Sequence, residues 1–258
     1  MQNFFSGIDL GSSYSKAVLI NDQKKTIAEA VIKTGLSFEK ASEDVFHLVL
    51  GSAKLKKDQV KTVVATGVGR NNCPFSAFSK PEIICLTKGG FHYFPDESFL
   101  VDIGGQDNKI IKISKDGTQM YFKMNRKCAA GTGSFLEEIS SRLNTSLQKM
   151  NELAEKTDKT VKLGSYCTVF TGSEIIHHIR TGKDLNEIIR GVFESMVKRI
   201  LEMDQLTGKV VLSGGAVANN PVLVTLFKEN VSDSDEVVLP PSPQMLGAFG
   251  AALYAKEK

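Results

Sequence analysis

No apolar run in this chain of 258 residues is long enough to cross a membrane as a helix. The opening MQNFFSGIDL is too short and too uncharged to read as a signal peptide. Cysteine is scarce: Cys73, Cys85, Cys128 and Cys167 form no CxxC pair, so they do not read as a secreted disulfide framework. The expectation is a cytoplasmic protein without a membrane partner. An excess of one charge is missing too, the net charge being only +3. The one compact basic run, Lys54-Leu55-Lys56-Lys57, reads as a solvated helix end, so no nucleic-acid partner is expected. There is no low-complexity linker and no G-x-x-x-x-G-K-[ST] loop, so any nucleotide grip must be of another kind.

What is present alternates in type. Buried strands are predicted at Phe5–Leu10, Ser15–Ile20, Val60–Ala65, Phe99–Ile103, Lys109–Ile113 and Lys209–Ser213. Between them, apolar residues three and four apart predict helices: one around Phe46 to Leu50, one through Phe135, Leu136, Ile139 and Leu143, one from Ile188 to Leu201. This alternation argues an α/β fold, large enough for two domains or one sizeable α/β unit.

The chain also repeats itself. FFSGIDLGSSYSKAVLI and SFLVDIGGQDNKIIKIS, roughly 90 residues apart, share one outline: apolar run, Asp, apolar residue, Gly, polar residues, Lys, apolar run. In the first copy Gly11 permits a tight turn, Ser12, Ser13 and Ser15 offer donors, and Lys16 can meet a phosphate. Asp9, ending a buried strand, demands a partner or a metal. In the second copy Asp102 takes that place, Gly104 and Gly105 allow close backbone approach, and Gln106 or Asp107 can position a water. Two such carboxylates suit Mg²⁺ on a polyphosphate. A single Asp-x-Gly is ordinary turn chemistry; two in matching places favour a nucleotide. A third glycine pair, Gly214-Gly215 in VVLSGGAVANNPVL, follows a strand, with a helix expected to start near Asn219-Asn220-Pro221.

The cysteines pose a separate question. Cys128 precedes the small-residue run Ala129-Ala130-Gly131-Thr132-Gly133 and then a helix; Cys167 precedes a helix through SEIIHHIRTG. Helix starts favour thiolate and anions. Two cysteines fall short of the four thiolates of a 4Fe-4S cluster, but a two-fold dimer would supply four. The plainer alternative is a pair of buried structural thiols. Cys73 and Cys85 lack glycine-rich helix starts and read as core or surface thiols, and the adjacent His177 and His178 read as a solvated or interface pair.

DLGSSYSK, DIGGQD and LSGGAVANN resemble the two phosphate motifs and the adenosine motif of the superfamily of actin, hexokinase and heat-shock chaperone ATPases. Over nearly its full length the chain resembles the activators of 2-hydroxyacyl-CoA dehydratases and the related ATPase subunits of benzoyl-CoA reductase. The matching stretches are GIDLGS, ATGVGRN, VDIGGQD, KCAAGTGSFLE, CTVF with SE soon after, GGAVANN and GAFGAALYA. The resemblance implies an actin-like fold of two duplicated domains with ATP between them. The first would be 1–94, completed by a C-terminal helix at 243–258; the second, 95–242, would carry the cluster cysteines.

Catalytic roles would fall to Asp9, Asp102 and Gln106. ATP or ADP with Mg²⁺ would be held by Ser12, Ser13, Tyr14, Ser15, Lys16, Gly104, Gly105, Gly214, Gly215, Asn219 and Gln244. Cys128 and Cys167 would ligate one oxygen-sensitive 4Fe-4S cluster per homodimer. Such an ATPase takes an electron from a ferredoxin or flavodoxin and passes it at low potential to a partner iron–sulfur enzyme. The chain departs from the family pattern at Arg126, at Thr171-Gly172-Ser173-Glu174 and at Met245-Leu246, which leaves open a different iron–sulfur partner. The rival readings are a small-molecule kinase of the same superfamily and a non-catalytic nucleotide switch.

Overall fold

Alternation along the first strands dictates how the first sheet is covered. In the computed structural model, which describes residues 3–126, 128–164, 167–232 and 235–258, strand β1 (Phe4–Leu10) pairs antiparallel with β2 (Tyr14–Asn21). It pairs parallel with β4 (Val60–Thr66). With β3 (Thr26–Lys33) and the short β5 (Phe78–Ser79) the order is β3-β2-β1-β4-β5. Ile8, Leu10, Ala17, Leu19, Val63 and Ala65 point to one face, where Val45, Phe46 and Val49 of helix α1 (Phe38–Ala53) cover them. Phe5, Val18, Ile20 and Val64 point to the other, where the C-terminal helix covers them. Successive strand residues face opposite ways, so two helical layers follow from the sequence pattern.

Helix α1 starts at Ser37, whose side chain accepts from Lys40 N, and stops at Lys54 in the left-handed region (φ 55°). Helix α2 is Glu82–Tyr93.

The second sheet holds β6 (Ser98–Ile103), β7 (Asn108–Ile113), β8 (Gln119–Asn125), β9 (Lys209–Ser213) and β10 (Glu236–Val238), in the order β10-β9-β6-β7-β8. Its helices are α3 (Gly133–Arg142), α4 (Leu147–Ala154), α5 (Thr168–Arg180) and α6 (Leu185–Leu201), then α7 (Gly215–Asn219) and α8 (Pro221–Asn230). One continuous core joins Phe99, Val101 and Val210 of the strands to Phe135, Phe193, Met196 and Phe227 of the helices.

The final helix α9 (Leu246–Lys256) is nearly all Ala, Gly and apolar residues, and it lies against β1 through glycine. A Cβ on Gly7 would fall 1.9 Å from Ala248 O, and one on Gly250 would fall 1.8 Å from Cys85 O of α2. Only glycine permits that approach.

Two compact units result. One is Met1–Ser98, Ile111–Tyr121 and Pro240–Lys258; the other is Phe99–Ile110 and Phe122–Leu239. The segment Ile111–Tyr121 goes with the first unit, in contrast to the expected span 95–242. Its Gly117 (φ 81°) sits against the Phe91 ring of α2, and Lys112 pairs with Glu97 at 2.7 Å. Among the described residues no helix is long and apolar enough to cross a membrane. Lys127 and the side chains of Thr168 and Val169, which belong to the two cysteine motifs, lie outside the described residues.

Candidate functional site

The two Asp-x-Gly hairpins are built alike. In the first, Gly11 N donates to Tyr14 O (3.2 Å); in the second, Gly104 N donates to Asp107 O (2.9 Å). In each the strand-ending carboxylate meets a lysine seven residues on: Asp9 with Lys16 at 2.9 Å, Asp102 with Lys109 at 3.4 Å. A Cβ on Gly11 would lie 2.8 Å from Tyr14 O and one on Gly104 2.8 Å from Asp107 O, so both turns require glycine. Lys109, buried between Asp102 and Asp107 (2.7 Å to Asp107 Oδ1), was not singled out from the sequence as a site residue. The repeated Asp-to-Lys spacing was the available signal.

The symmetry extends to the neighbouring parallel strands. Asp9 pairs in register with Thr66 of β4, and Asp102 with Ser213 of β9. Each of those residues precedes a glycine at positive φ: Gly67 at 88° and Gly214 at 98°. A Cβ on Gly67 would press on Leu10 O and one on Gly214 on Ile103 O, in both cases the carbonyl just after the aspartate.

The copies differ in how the carboxylates are satisfied. Asp102 accepts from Ser213 Oγ at 2.9 Å as well as pairing with Lys109. Asp9, only 4% exposed, uses Oδ2 for Lys16, while its Oδ1 is buried without a hydrogen-bond partner among the described residues. A buried carboxylate oxygen left unmet is costly. A hydrated divalent cation supplies donors of the kind it lacks, so Asp9 fits Mg²⁺.

Within the first unit, Ser12 is exposed and Ser13 and Tyr14 half-buried at the turn beside Asp9 and Lys16. Ser15 departs from the expectation that its hydroxyl faces a phosphate. It is fully buried, and its Oγ bonds Thr34 Oγ1 (2.9 Å), which donates to Gly11 O (2.7 Å). β-strand alternation turns Ser15 inward, and it braces the turn instead. Gln244 also belongs to this unit, half-buried in the 3₁₀ turn Pro243–Met245.

Within the second unit, Gln106 is exposed at the tip of its turn. Gly214 leads straight into α7, so a helical turn begins at Gly215, before the start expected near Asn219; α8 then begins at Pro221. Gly214 reaches a φ that other residues avoid, which lets the chain reverse from strand into helix at once. Asn219 Nδ2 folds back on Gly215 O (2.7 Å). Asn220 and Asn151 form a buried amide pair (2.8 Å) that ties this turn to α4.

The cysteines divide cleanly. Cys73 and Cys85 are buried, and burial pushes both thiols up, Cys85 to about 12. Cys128 is half-buried and Cys167 exposed. Cys167 is the N-cap residue of α5. Cys128 stands four residues before Thr132, the N-cap of α3, with the small-residue run between them. The first amides of α3 are also already engaged: Gly133 N donates to Gly104 O (2.9 Å) and Ser134 N to Gly105 O (2.8 Å). The start of α3 therefore grips the second hairpin rather than an anion. Two accessible thiols fit half of a four-thiolate set, and a second copy would complete it. His177 and His178 stand edge to face at 5.8 Å, and His178 faces Glu174 at 3.7 Å. Among the described residues no cluster of three or more His, Cys, Asp or Glu is placed to hold a metal within one chain.

The model of the BadF/BadG/BcrA/BcrD ATPase family matches residues 6–255. The activator of lactoyl-CoA dehydratase from Anaerotignum propionicum is 39% identical, over 97% of this chain and 96% of that protein. The (R)-2-hydroxyglutaryl-CoA dehydratase activating ATPase of Acidaminococcus fermentans is 35% identical, over 100% and 99%. The structure of the 2-hydroxyisocaproyl-CoA dehydratase activator from Clostridium difficile with bound ADPNP superposes with a TM-score of 0.90 at 32% identity, over 98% and 94%. A glucokinase of Streptomyces griseus shares the fold alone, with a TM-score of 0.58 at 12% identity, over 99% of this chain and 100% of that one. The architecture is the actin-like ATPase fold.

Proposed function

The chain belongs to the BadF/BadG/BcrA/BcrD ATPase family, and on that premise we propose that it is an ATP-driven activator of a 2-hydroxyacyl-CoA dehydratase-like iron–sulfur enzyme. In this reading a homodimer takes an electron from a ferredoxin or flavodoxin and delivers it at low potential to the partner. The observation that carries the nucleotide half is the pair of matched hairpins, each with a strand-ending Asp, a tight glycine turn and a lysine bonded back to the Asp.

This chain's residues would act as follows. Backbone amides of the Ser12–Ser13 and Gly105–Gln106 turns receive phosphate oxygens, and Lys16 adds positive charge. Asp9 would hold Mg²⁺ through water, and the ion, when bound, neutralises phosphate charge. Gln106 orients the attacking water, Asp102 fixes the second hairpin through Lys109 and Ser213, and Gly214, Gly215, Asn219 and Gln244 approach the adenosine. Cys128 and Cys167 of two copies would hold a 4Fe-4S cluster, which, when bound, carries the single electron. The support for that half is the contrast between two accessible thiols and two buried ones, while the names that the close relatives carry support the activator role alone.

Anaerobic purification tests it. The expected result is about four irons per dimer, ATP hydrolysis, and near-complete iron loss in Cys128→Ala and Cys167→Ala with nucleotide binding retained. An iron-free, colourless protein that phosphorylates a small molecule would replace this reading with the kinase.

A further inference from the structure

The loop that carries Cys128 is bonded to the second hairpin at three successive points, all within one compact unit. Asn108 Nδ2 donates to Gly131 O at 2.5 Å. Gly133 N donates to Gly104 O, and Ser134 gives both its N (2.8 Å) and its Oγ (2.5 Å) to Gly105 O. At the near end of the loop, Asn125 Nδ2 donates to Cys128 O (3.2 Å). The Gly104 and Gly105 links run backbone to backbone, so they have no side-chain slack. The Asn108 link is the only one of the three made solely by a side chain, and it holds the middle of the loop.

Two features make Asn108 more than a filler of space. It is 1% exposed, and its Oδ1 is buried without a partner among the described residues. A buried amide satisfied at one end only calls for an explanation beyond packing. Its target is constrained as well. Gly131 sits at φ 88°, and a Cβ there would lie 3.2 Å from Asn108 Nδ2 and 3.3 Å from Arg199 Cγ. The loop therefore has one seat, between the start of β7 and α6.

We infer that Asn108 is a positioning residue that makes the Cys128 loop follow the state of the Gly104–Gly105 turn. The inference rests on the reading of that turn as a phosphate site. A γ-phosphate on the turn shifts the carbonyls of Gly104 and Gly105, and with them Gly133 and Ser134. Asn108, anchored on the strand beside the turn, forces Gly131 to move or to exchange partners, and the thiol three residues before Gly131 moves with it. This is an ordering change driven by one phosphate group. Nucleotide state is thereby communicated to the cysteine without any contact between them.

The test is hydrogen exchange on the full chain saturated with Mg²⁺ and either ADP or ADPNP, in wild type, Asn108→Ala and the isosteric Asn108→Asp. Direct binding measurements accompany it, and helix α9 serves as the stability reference. In wild type the amides of 130–134 should exchange at rates differing about tenfold between the two nucleotides. In both variants that difference should shrink to within about twofold, with both nucleotides still bound and α9 unchanged. A purely structural Asn108 would speed exchange equally in both states and leave the ratio intact, which overturns the inference. So does a wild type that binds both nucleotides with no difference at 130–134, or a pair of variants that lose nucleotide binding altogether. A wild type that binds neither nucleotide removes the phosphate-site reading and the inference together.

Discussion

Replacing Asp9 and Asp102 in turn by Asn separates two roles that the symmetry of the hairpins conceals. Asp102 is the hub of a buried polar cluster, with Lys109, 2% exposed at its side chain, on one oxygen and Ser213 on the other. Removing its charge leaves a buried ammonium facing Asp107 at 2.7 Å. Breaking one partner of a buried pair costs about 3–5 kcal/mol. Part of this returns because Asn keeps a carbonyl for Ser213, so a loss of about 2–4 kcal/mol is expected. Asp9 is different. Its lysine is 16% exposed at the side chain, and one of its oxygens has no partner to lose. Neutralising it relieves part of the burial cost, so Asp9→Asn should stay within about 1 kcal/mol of wild type. Activity should show the reverse order: ATP hydrolysis falls about 10²-fold or more in Asp9→Asn, as for loss of a group that positions metal and water. The assays are urea unfolding at neutral pH and phosphate release under saturating Mg²⁺–ATP. Equal destabilisation by both substitutions, or full turnover in Asp9→Asn, would refute the division of labour.

Other expectations follow from the same contacts. Gly214→Ala combines a φ of 98° with a Cβ only 2.3 Å from Ile103 O, so it should cost about 2–4 kcal/mol and weaken ATP binding; a calorimetric titration matching wild type would contradict this. Lys109→Met leaves Asp102 and Asp107 without their shared cation, so it should lower both unfolding stability and hydrolysis, whereas Lys16→Met should lower mainly hydrolysis; stability curves for the two variants decide it. For Cys85 the fold favours the neutral thiol, raised by burial from 9.0 to about 12. Its contribution is therefore complete below pH 9 and is lost as pH climbs towards 12. It amounts to about 4 kcal/mol at most, and the extra loss of stability between pH 9 and 11 should vanish in Cys85→Ala.

The parts of the fold that could be read in the sequence are those with a short period. The six buried strands each carry consecutive apolar residues bounded by Gly or polar turns, and they were found. Strand β3, with Ile27 and Val31 exposed, and β8, with Met120, Tyr121 and Phe122 exposed, present no such signal, because edge strands need little burial. Strands β5 and β10 are too short to show a period. At the site, the Asp-x-Gly turns were legible because their chemistry is local. Ser15 was misread as a phosphate donor because its direction depends on the strand register, and Thr34, which captures it, lies 19 residues away. The role of Gly67 as the counterpart of Gly214 was hidden for the same reason. Each is needed to clear a carbonyl on a strand far away in sequence.

That hidden correspondence says how one duplicated plan can serve two tasks. Both halves place an aspartate at the end of a central strand, a lysine across the hairpin, and a positive-φ glycine at the end of the neighbouring parallel strand. They diverge immediately after that glycine. Beyond Gly67 the chain makes a 3₁₀ turn at Arg70–Asn72, and Arg70 Nη1 returns to Gly67 O (3.2 Å). Beyond Gly214 it enters α7 and α8 and so reaches the core under β9. They diverge again at the hairpin: the carbonyls of Gly104 and Gly105 receive the start of α3, whereas in the first copy Thr34, just past β3, donates its Oγ1 to Gly11 O (2.7 Å) and its N to Ser13 O (3.0 Å). The first copy thus keeps an unsatisfied carboxylate oxygen, a property suited to a cation, while the second has its aspartate fully bonded and its turn tied to the cysteine loop. Substitutions that loosen the second copy should therefore disturb what happens at Cys128, and substitutions in the first should disturb the phosphate chemistry alone.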